Sequence, residues 1–296
     1  MLGGIKKVLH FIFSAGCIIV IDCMNDNEFR KLLEIFDLSW TGYRKVRKGV
    51  KKRLLRHMQR LGCRTTGSYI AIIEEKAGVR SECELLLSVS ISRFFRDREL
   101  WEALQEKILP LLIKENLGNV HVWSAGCASG EEVYSIKIIW DQLRKDFVQL
   151  PELAIIASDL NSAYLKRAKA GLYSRGSLKE VPEEVLSVYF EPEVPGKLYR
   201  IKDFFKKDII WKQHHLLSDP PGHGFQVIFL RNNLLTYYLD SPKTRAFKRI
   251  RDSLSPGGFL IIGRREKLPF TTEDLVPYAS YSYIFKKSTQ DTRKNG

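Results

Sequence analysis

The sequence predicts an α/β protein: a doubly wound, largely parallel sheet with a small all-helical domain before it. Three observations predict this. Beyond about residue 88, short uninterrupted apolar runs such as Gln226 to Leu230 and Phe259 to Ile262 alternate with helical periods, the pattern of strands covered on both faces. Between Met24 and that point the apolar residues follow helical stripes, with steps of three and four recurring. The 296 residues, 44% apolar and 28% charged, suffice for one or two cores without a disulfide or metal staple.

The chain opens with Lys6 and Lys7 before an apolar run from Val8 to Ile21, a segment short for a bilayer span and followed by no small-x-small cleavage site. Asp22 closes it, so residues 1–23 read as an extension from a start placed too early, with Met24 as the initiator; no stable membrane span is expected. Phe29, Leu32, Leu33 and Ile35 then mark a helix whose open amides Asn25 or Asp26 can cap. Tyr43, Val46, Val50, Leu54, Met58 and Leu61 form one helical stripe. Its other face carries Arg44, Lys45, Arg47, Lys48, Lys51, Lys52, Arg53, Arg56 and Arg60 with no acid among them. Such a concentration repels itself unless a polyanion screens it. Together with a formal charge of +14, the basic helix over 44–60 points to nucleic acid, anionic lipid or a carboxylate-rich protein as partner. Ser68 to Lys76 is a further helix, and residues 24–87 make one helical, basic domain.

Residues 88–287 form the second domain. Trp101, Leu104, Ile108, Leu111 and Leu112 mark a helix kinked near Pro110. Val120 to Trp123 is a strand, Glu132 to Leu143 a helix, Leu153 to Ala157 a strand, and Ser162 to Ala170 a helix stopped by Gly171. Pro192 to Lys207 reads as an irregular insertion. After the strand at Gln226 come a helix over Thr244 to Leu254, a strand at Phe259 and an edge strand over Tyr278 to Phe285. A polar tail, 288–296, ends the chain. The five cysteines are odd in number and unpaired as CxxC, which suits a reducing cytoplasm and signals no metal site.

The chemistry concentrates where the first strand runs into Ser124-Ala125-Gly126-Cys127-Ala128-Ser129-Gly130-Glu131-Glu132 and then into a helix. A glycine-containing turn there lets a ligand approach the backbone at the carboxyl edge of the sheet. The next strand ends in Ser158-Asp159, and a carboxylate at that place can accept both hydroxyls of a ribose. Two acids at the helix start disfavour a pyrophosphate, which would otherwise use the open amides. A cationic nucleoside such as S-adenosyl-L-methionine suits them better. Capping near the positive end of the helix dipole is the alternative role, more for Glu132 than for Glu131.

These residues resemble the chemotaxis-receptor glutamate methyltransferases of the CheR type. The similarity runs from about Tyr43 to Pro269. It rests on Ser90-Ile91-Ser92-Arg93-Phe94-Phe95-Arg96, Ser124 to Ser135, Ala157-Ser158-Asp159, Ala168-x-x-Gly171-x-Tyr173, Tyr189-Phe190, Arg231-Asn232 and Gly263-x-x-Glu266. The resemblance implies a Rossmann-like class I methyltransferase sheet with a receptor-facing helical domain, and methyl transfer from S-adenosyl-L-methionine to glutamate carboxylates of a cytoplasmic protein acceptor. By the same similarity Ala125, Gly126 and Glu131 line the methionine and ribose part of the cofactor site and Asp159 holds the ribose hydroxyls. Ser90, Ser92 and Arg96 border the methionine end, His215 and Leu216 the adenine, and Leu230 and Arg231 lie beneath the sulfonium.

Arg96 is the candidate to steer the acceptor carboxylate, its planar fork matching two oxygens; a structural pair with Asp97 or Glu99 is its alternative role. Tyr237 is the second catalytic candidate, displaced by one position from the family's tyrosine, whose register slot Thr236 takes. Further departures are Ser90 and Ser92 for Asn and Thr, His215 for Asn, and Arg264-Arg265 in the G-H-S-E block. Two other readings share the fold: a nucleic-acid methyltransferase with the basic helix on phosphates, and a cofactor-binding module without turnover. Ser218-Asp219-Pro220-Pro221 imitates a base-methylating motif. It precedes its strand rather than following it, and Gly222 replaces the aromatic, so it reads as a proline-rich turn.

Overall fold

A computed structural model describes residues 24–115 and 118–289; the apolar run at 8–21 and the tail from 290 onward lie outside the described residues. The chain divides into two compact units after Val89.

The first unit is helical. In α1 (Asp26–Glu34) the Asn25 side chain accepts from the Asn27 and Glu28 amides while the Glu28 carboxylate accepts from the Asn25 amide. This capping box is worth about 1 kcal/mol and fixes the start that the sequence indicated. The predicted single helix over Tyr43 to Leu61 is two, α2 (Trp40–Tyr43) and α3 (Arg47–Arg60). Between them the Val46 and Gly49 amides each donate to the carbonyl three residues back, tight turns that keep Tyr43, Val50, Leu54 and Met58 on one buried side. α4 (Thr66–Glu75) and α5 (Ala77–Leu87) complete the unit.

The fold supplies counter-charges that the local sequence hid. Asp26 pairs with Lys51 at 2.5 Å and Arg47 at 3.4 Å, Glu82 pairs with Arg60, and Arg53 donates to the Leu86 and Ser88 carbonyls at 2.9 Å. The basic face is therefore narrower than nine cations. Arg44, Lys45, Lys48, Lys52 and Arg56 remain exposed.

The second unit begins with α6 (Arg98–Ala103), a π-helical turn (Leu104–Ile108) and α7 (Leu109–Glu115). Pro110 cannot donate to the Glu106 carbonyl, and the interruption expected near it takes the form of this widened turn. There follow β1 (Val120–Ala125), α8 (Glu131–Gln142), β2 (Leu153–Asp159), α9 (Ser162–Ala170), β3 (Leu172–Ser174), α10 (Glu183–Tyr189), β4 (Phe190–Val194), β5 (Leu198–Ile201), β6 (Ile209–Gln213), β7 (Phe225–Leu230), α11 (Leu234–Tyr237), α12 (Asp240–Ser253), β8 (Leu254–Ile262), β9 (Leu275–Tyr278) and β10 (Tyr281–Lys287). The main sheet runs β6-β2-β1-β7-β8-β10-β9. Its first five strands are parallel, with Val122 opposite Ile155 on one side and Val227 on the other. The order reverses at β1, so the crevice outside the carboxyl ends of β1 and β7 is the topological switch point where α/β sheets bind ligands.

Two expectations are corrected here, and one strand is added that the sequence reading did not contain. Pro192 to Lys207 is not irregular: β5 pairs with β4 on one side and β3 on the other in a separate antiparallel sheet, ordered β3-β5-β4. The strand β6, hidden among charged neighbours, pairs with β2. The predicted edge strand Tyr278 to Phe285 is a hairpin whose second arm, β10, lies inside the sheet with Tyr283, Ile284 and Phe285 buried; the edge is β9.

Candidate active site

The turn after β1 is tied to the end of β2. The Gly126 and Cys127 amides both donate to the Ser158 carbonyl, at 2.8 and 2.9 Å, and the Ala128 amide donates to Asp159 Oδ2 at 2.9 Å. Gly126 must be glycine: its φ is +83°, and a Cβ there would lie 2.2 Å from the Asn233 amide nitrogen. That nitrogen donates to the Ala125 carbonyl, so Asn233, on the loop after β7, closes the turn from above. Gly130 (φ +87°) starts α8 with no room for a side chain, since Ala168 and Trp211 lie 2.9 Å from where a Cβ would stand. Tyr173 supports the same stretch through a 2.8 Å bond to the Ser129 carbonyl.

Two carboxylates face this turn in different states. Asp159 accepts from the Ala128 and Asn161 amides, one on each oxygen, at 2.9 Å. Burial raises its pKa, and those two amides pull the other way. Each oxygen keeps a lone pair for a further donor. Glu131 is only 5% exposed; burial raises its pKa above the usual carboxylate range, while the Ser92 hydroxyl donates to it and lowers it. Its Oε2 is buried and accepts no hydrogen bond among the described residues. A buried carboxylate oxygen left so is costly unless a ligand brings the missing donor.

Glu132, its neighbour, does something else. Its Oε1 accepts from Ser124 at 2.8 Å and its Oε2 from Arg231 at 2.9 Å, while the other arm of Arg231 reaches Asp97 and the Arg96 carbonyl. The Arg231 side chain is 6% exposed. Its guanidinium is thus held in a buried ion network joining the loop after β7, the start of α8 and the segment before α6. At the predicted place beneath the sulfonium, Arg231 offers backbone, and so does Leu230, whose side chain lies wholly in the core.

That network fixes Arg96. Its carbonyl also accepts from Trp101 Nε1 at 2.8 Å, and its own Nη1 donates to the Ile91 carbonyl at 2.7 Å. Asp97 stands 4.0 Å from Arg96 Nε, the limit of an ion pair, and is held more closely by Arg231. Tyr237 is close enough to feel the Arg96 charge: burial and then Glu266 raise its phenol, and Arg96 lowers it. Glu266 in turn takes the Asn232 and Gly263 amides on Oε2, at 2.8 and 2.7 Å, and the Thr236 hydroxyl on Oε1. It is the clasp that seats α11, and hence Tyr237. Four of the seven described non-glycine residues with positive φ, Phe95, Asp97, Ala128 and Asn232, lie on these loops. Strain of this kind concentrates where surrounding structure fixes a site.

On the far side of Asp159, His215 Nδ1 accepts from the Leu217 amide at 3.0 Å and its ring meets Tyr238 edge-on at 6.1 Å; Leu216 is buried. Ser92, Arg96, Ala125, Gly126, Glu131, Asp159, His215, Leu216 and Tyr237 therefore come from separate segments to the carboxyl edge of β1, β2, β6 and β7. Ser90 is half-buried at the start of this unit, two residues before Ser92. The sequence did not single out Asn233 or the Glu132–Arg231–Asp97 network, whose members lie 99 and 134 residues apart.

Such a sheet, with an unsatisfied acid at the first turn and a second acid closing the next strand, has the crevice of a nucleoside-binding α/β protein. Residues 90–284 match the family model described as CheR methyltransferase, SAM binding domain. The chemotaxis protein methyltransferase of Listeria monocytogenes is 33% identical over 74% of this chain and 81% of its own. Chemotaxis protein methyltransferase 1 of Pseudomonas aeruginosa is 32% identical over 74% of this chain and 81% of its own. The chain belongs to the CheR methyltransferase family. Among solved structures, the N-methyltransferase NodS of Bradyrhizobium japonicum, in complex with S-adenosyl-L-homocysteine, is similar at 14% identity and a TM-score of 0.32, covering 57% of this chain and 63% of that one; a likeness so distant bears on neither fold nor function.

Proposed function

We propose that the protein transfers a methyl group from S-adenosyl-L-methionine to glutamate carboxylates of a protein acceptor, the cytoplasmic domain of a methyl-accepting chemotaxis receptor, forming methyl esters in the cytoplasm. The observation that carries this reading is the juxtaposition of an anchored guanidinium, Arg96, and a phenol, Tyr237, on loops joined through Arg231 and Glu132 to the start of α8, where the buried Glu131 lies. The orphaned Oε2 of Glu131 fits a ligand with a cationic or hydroxyl donor, and Asp159, with lone pairs to spare, fits the ribose.

When bound, the cofactor supplies an electrophilic methyl group on a sulfonium. A glutamate carboxylate is already ionised at neutral pH, so the protein need not remove a proton from it. What remains is positioning, which can contribute up to about 7–11 kcal/mol. Arg96 orients the carboxylate through two of its N–H groups, and the Ile91 carbonyl fixes the plane of the guanidinium. Tyr237, kept protonated by burial, donates beside it. The neighbouring domain, residues 24–87, meets an acidic receptor surface through the exposed cations of 44–60, and residues 88–287 carry the transfer.

Incubation of the protein with labelled cofactor and a receptor cytoplasmic fragment tests this. Label on the fragment that mild base releases as methanol supports the proposal. Base-stable label, or label on nucleic acid in place of the fragment, overturns it in favour of a nucleic-acid methyltransferase. Cofactor binding with no transfer to any receptor overturns it in favour of a silent binding module.

A further inference from the structure

Beside the predicted adenine residue His215 stands a second histidine that the mechanism above does not use. His214 is 9% exposed, directly after β6 at the carboxyl edge of the sheet. Its backbone amide donates to the Asp159 carbonyl at 3.0 Å, so it is bonded to the residue placed on the ribose. Its Nε2 lies 2.8 Å from the Asp219 carbonyl; a carbonyl only accepts, so Nε2 carries the hydrogen and Nδ1 the bare lone pair. Nδ1 is buried with no partner among the described residues, and the ring meets Trp123 of β1 edge-on at 5.8 Å. Burial holds the imidazole pKa down, the direction a neutral ring requires.

The Asp219 end of this bond is itself anchored. Arg249 on α12 pairs with the Asp219 carboxylate at 3.2 Å and donates to the Leu217 carbonyl, and the Ser218 amide donates to the His215 carbonyl at 2.9 Å. Residues 214–219 are thus a closed turn. The imidazole closes it from His214 to Asp219, the His214 backbone amide joins it to the end of β2, and His215 and Leu216 lie within it.

We propose that His214 is a positioning residue for the nucleoside end of the site: its side-chain bond to Asp219 and backbone bond to Asp159 set the His215–Leu216 turn and the ribose-side carboxylate at a fixed separation. This rests on the assignment of Asp159, His215 and Leu216 to the nucleoside. The ring does not touch the ligand in this account. It works by closing the turn on Asp219, while the backbone of the same residue holds that turn to Asp159, and the proline-rich stretch Ser218 to Pro221 is the far anchor.

The test is calorimetric titration of the full chain with S-adenosyl-L-homocysteine, using three variants. His214→Leu keeps the apolar bulk and loses the donor; it should weaken binding by about five- to tenfold, the worth of one neutral hydrogen bond in a preorganised site. His214→Gln places an amide donor near the Nε2 position and should restore affinity to within about twofold of wild type, which a role in packing alone does not predict. Asp159→Asn tests the underlying site. If Asp159→Asn binds as wild type does, the assignment of the ribose end fails. If it weakens binding while His214→Leu stays within twofold of wild type, or while His214→Gln binds no better than His214→Leu, the role given to His214 is overturned. Should His214→Leu not fold, a His214→Gln variant that folds yet binds more than tenfold more weakly than wild type overturns it too.

Discussion

Replacing Glu131 with Gln should move stability and affinity in opposite directions. The carboxylate is buried, raised in pKa chiefly by burial, and left with one oxygen unpartnered. In the ligand-free protein its ionised form is a cost. The sign follows from linkage: a raised carboxylate pKa means that the folded state binds the proton more readily than the unfolded chain. The cost is full above the folded pKa and disappears as the pH falls below the ordinary value of the unfolded chain. The amide carries no such cost, so Glu131→Gln should melt at a higher temperature than wild type at pH 7, and the gap should close as the pH is taken below the ordinary carboxylate value. With ligand the balance reverses. A hydrogen bond to a charged group is worth about 1.5–3 kcal/mol, and at 1.4 kcal/mol per decade its loss raises Kd by about 10- to 140-fold. Differential scanning fluorimetry without ligand at about pH 4 and pH 7.5, either side of the ordinary glutamate value of about 4.3, and calorimetry with S-adenosyl-L-homocysteine at about pH 7.5 measure both halves. A variant less stable than wild type that binds within twofold of it would show that the carboxylate is structural and faces no ligand.

Three further outcomes are expected. Arg96→Ala should abolish methyl transfer while cofactor Kd stays within about tenfold of wild type, and loss of cofactor binding in calorimetry would reassign the residue. Arg231→Met removes one partner of both Glu132 and Asp97 and should destabilise the methyltransferase unit by about 3–5 kcal/mol in urea unfolding, since it strands two carboxylates; a midpoint unchanged from wild type would contradict the buried network. Reversing Lys48, Lys52 and Arg56 together to Glu should lower kcat/KM for a receptor fragment at least about tenfold, steeply in low salt, with cofactor Kd unmoved; equal turnover would place the acceptor elsewhere.

What the sequence made legible was what is local or periodic. A cap at Asn25, one of the two residues the sequence offered, the Gly171 stop of α9 and the buried runs of β1, β7 and β8 each depend on residues within a few positions of one another. The acids of the site were legible for the same reason, since Glu131 and Asp159 sit at the ends of recognisable elements. Several strands were not, β6 and β4 among them: β6 is a five-residue run at a sheet edge directly after Lys206-Lys207-Asp208, and β4 begins a hairpin through Pro192, which suppressed the strand reading although Pro192 pairs with Tyr199 there. The tertiary electrostatics were not legible either. Glu132 serves as the partner of an arginine 99 residues away, and Asp26 and Glu82 neutralise part of a face that looked wholly unopposed. A local reading of charge sees neighbours in sequence, whereas the fold chooses neighbours in space.

The central claim is that the acid at the start of α8 and the acid closing β2 hold the cofactor between them, next to Arg96. A crystal structure of the protein with S-adenosyl-L-homocysteine tests it directly. The account predicts a ligand donor within hydrogen-bond distance of Glu131 Oε2 and the ribose hydroxyls on Asp159, with the Arg96 guanidinium flanking the sulfur end. Ligand density elsewhere, or a ligand in the crevice that leaves Glu131 Oε2 without a donor, would contradict it.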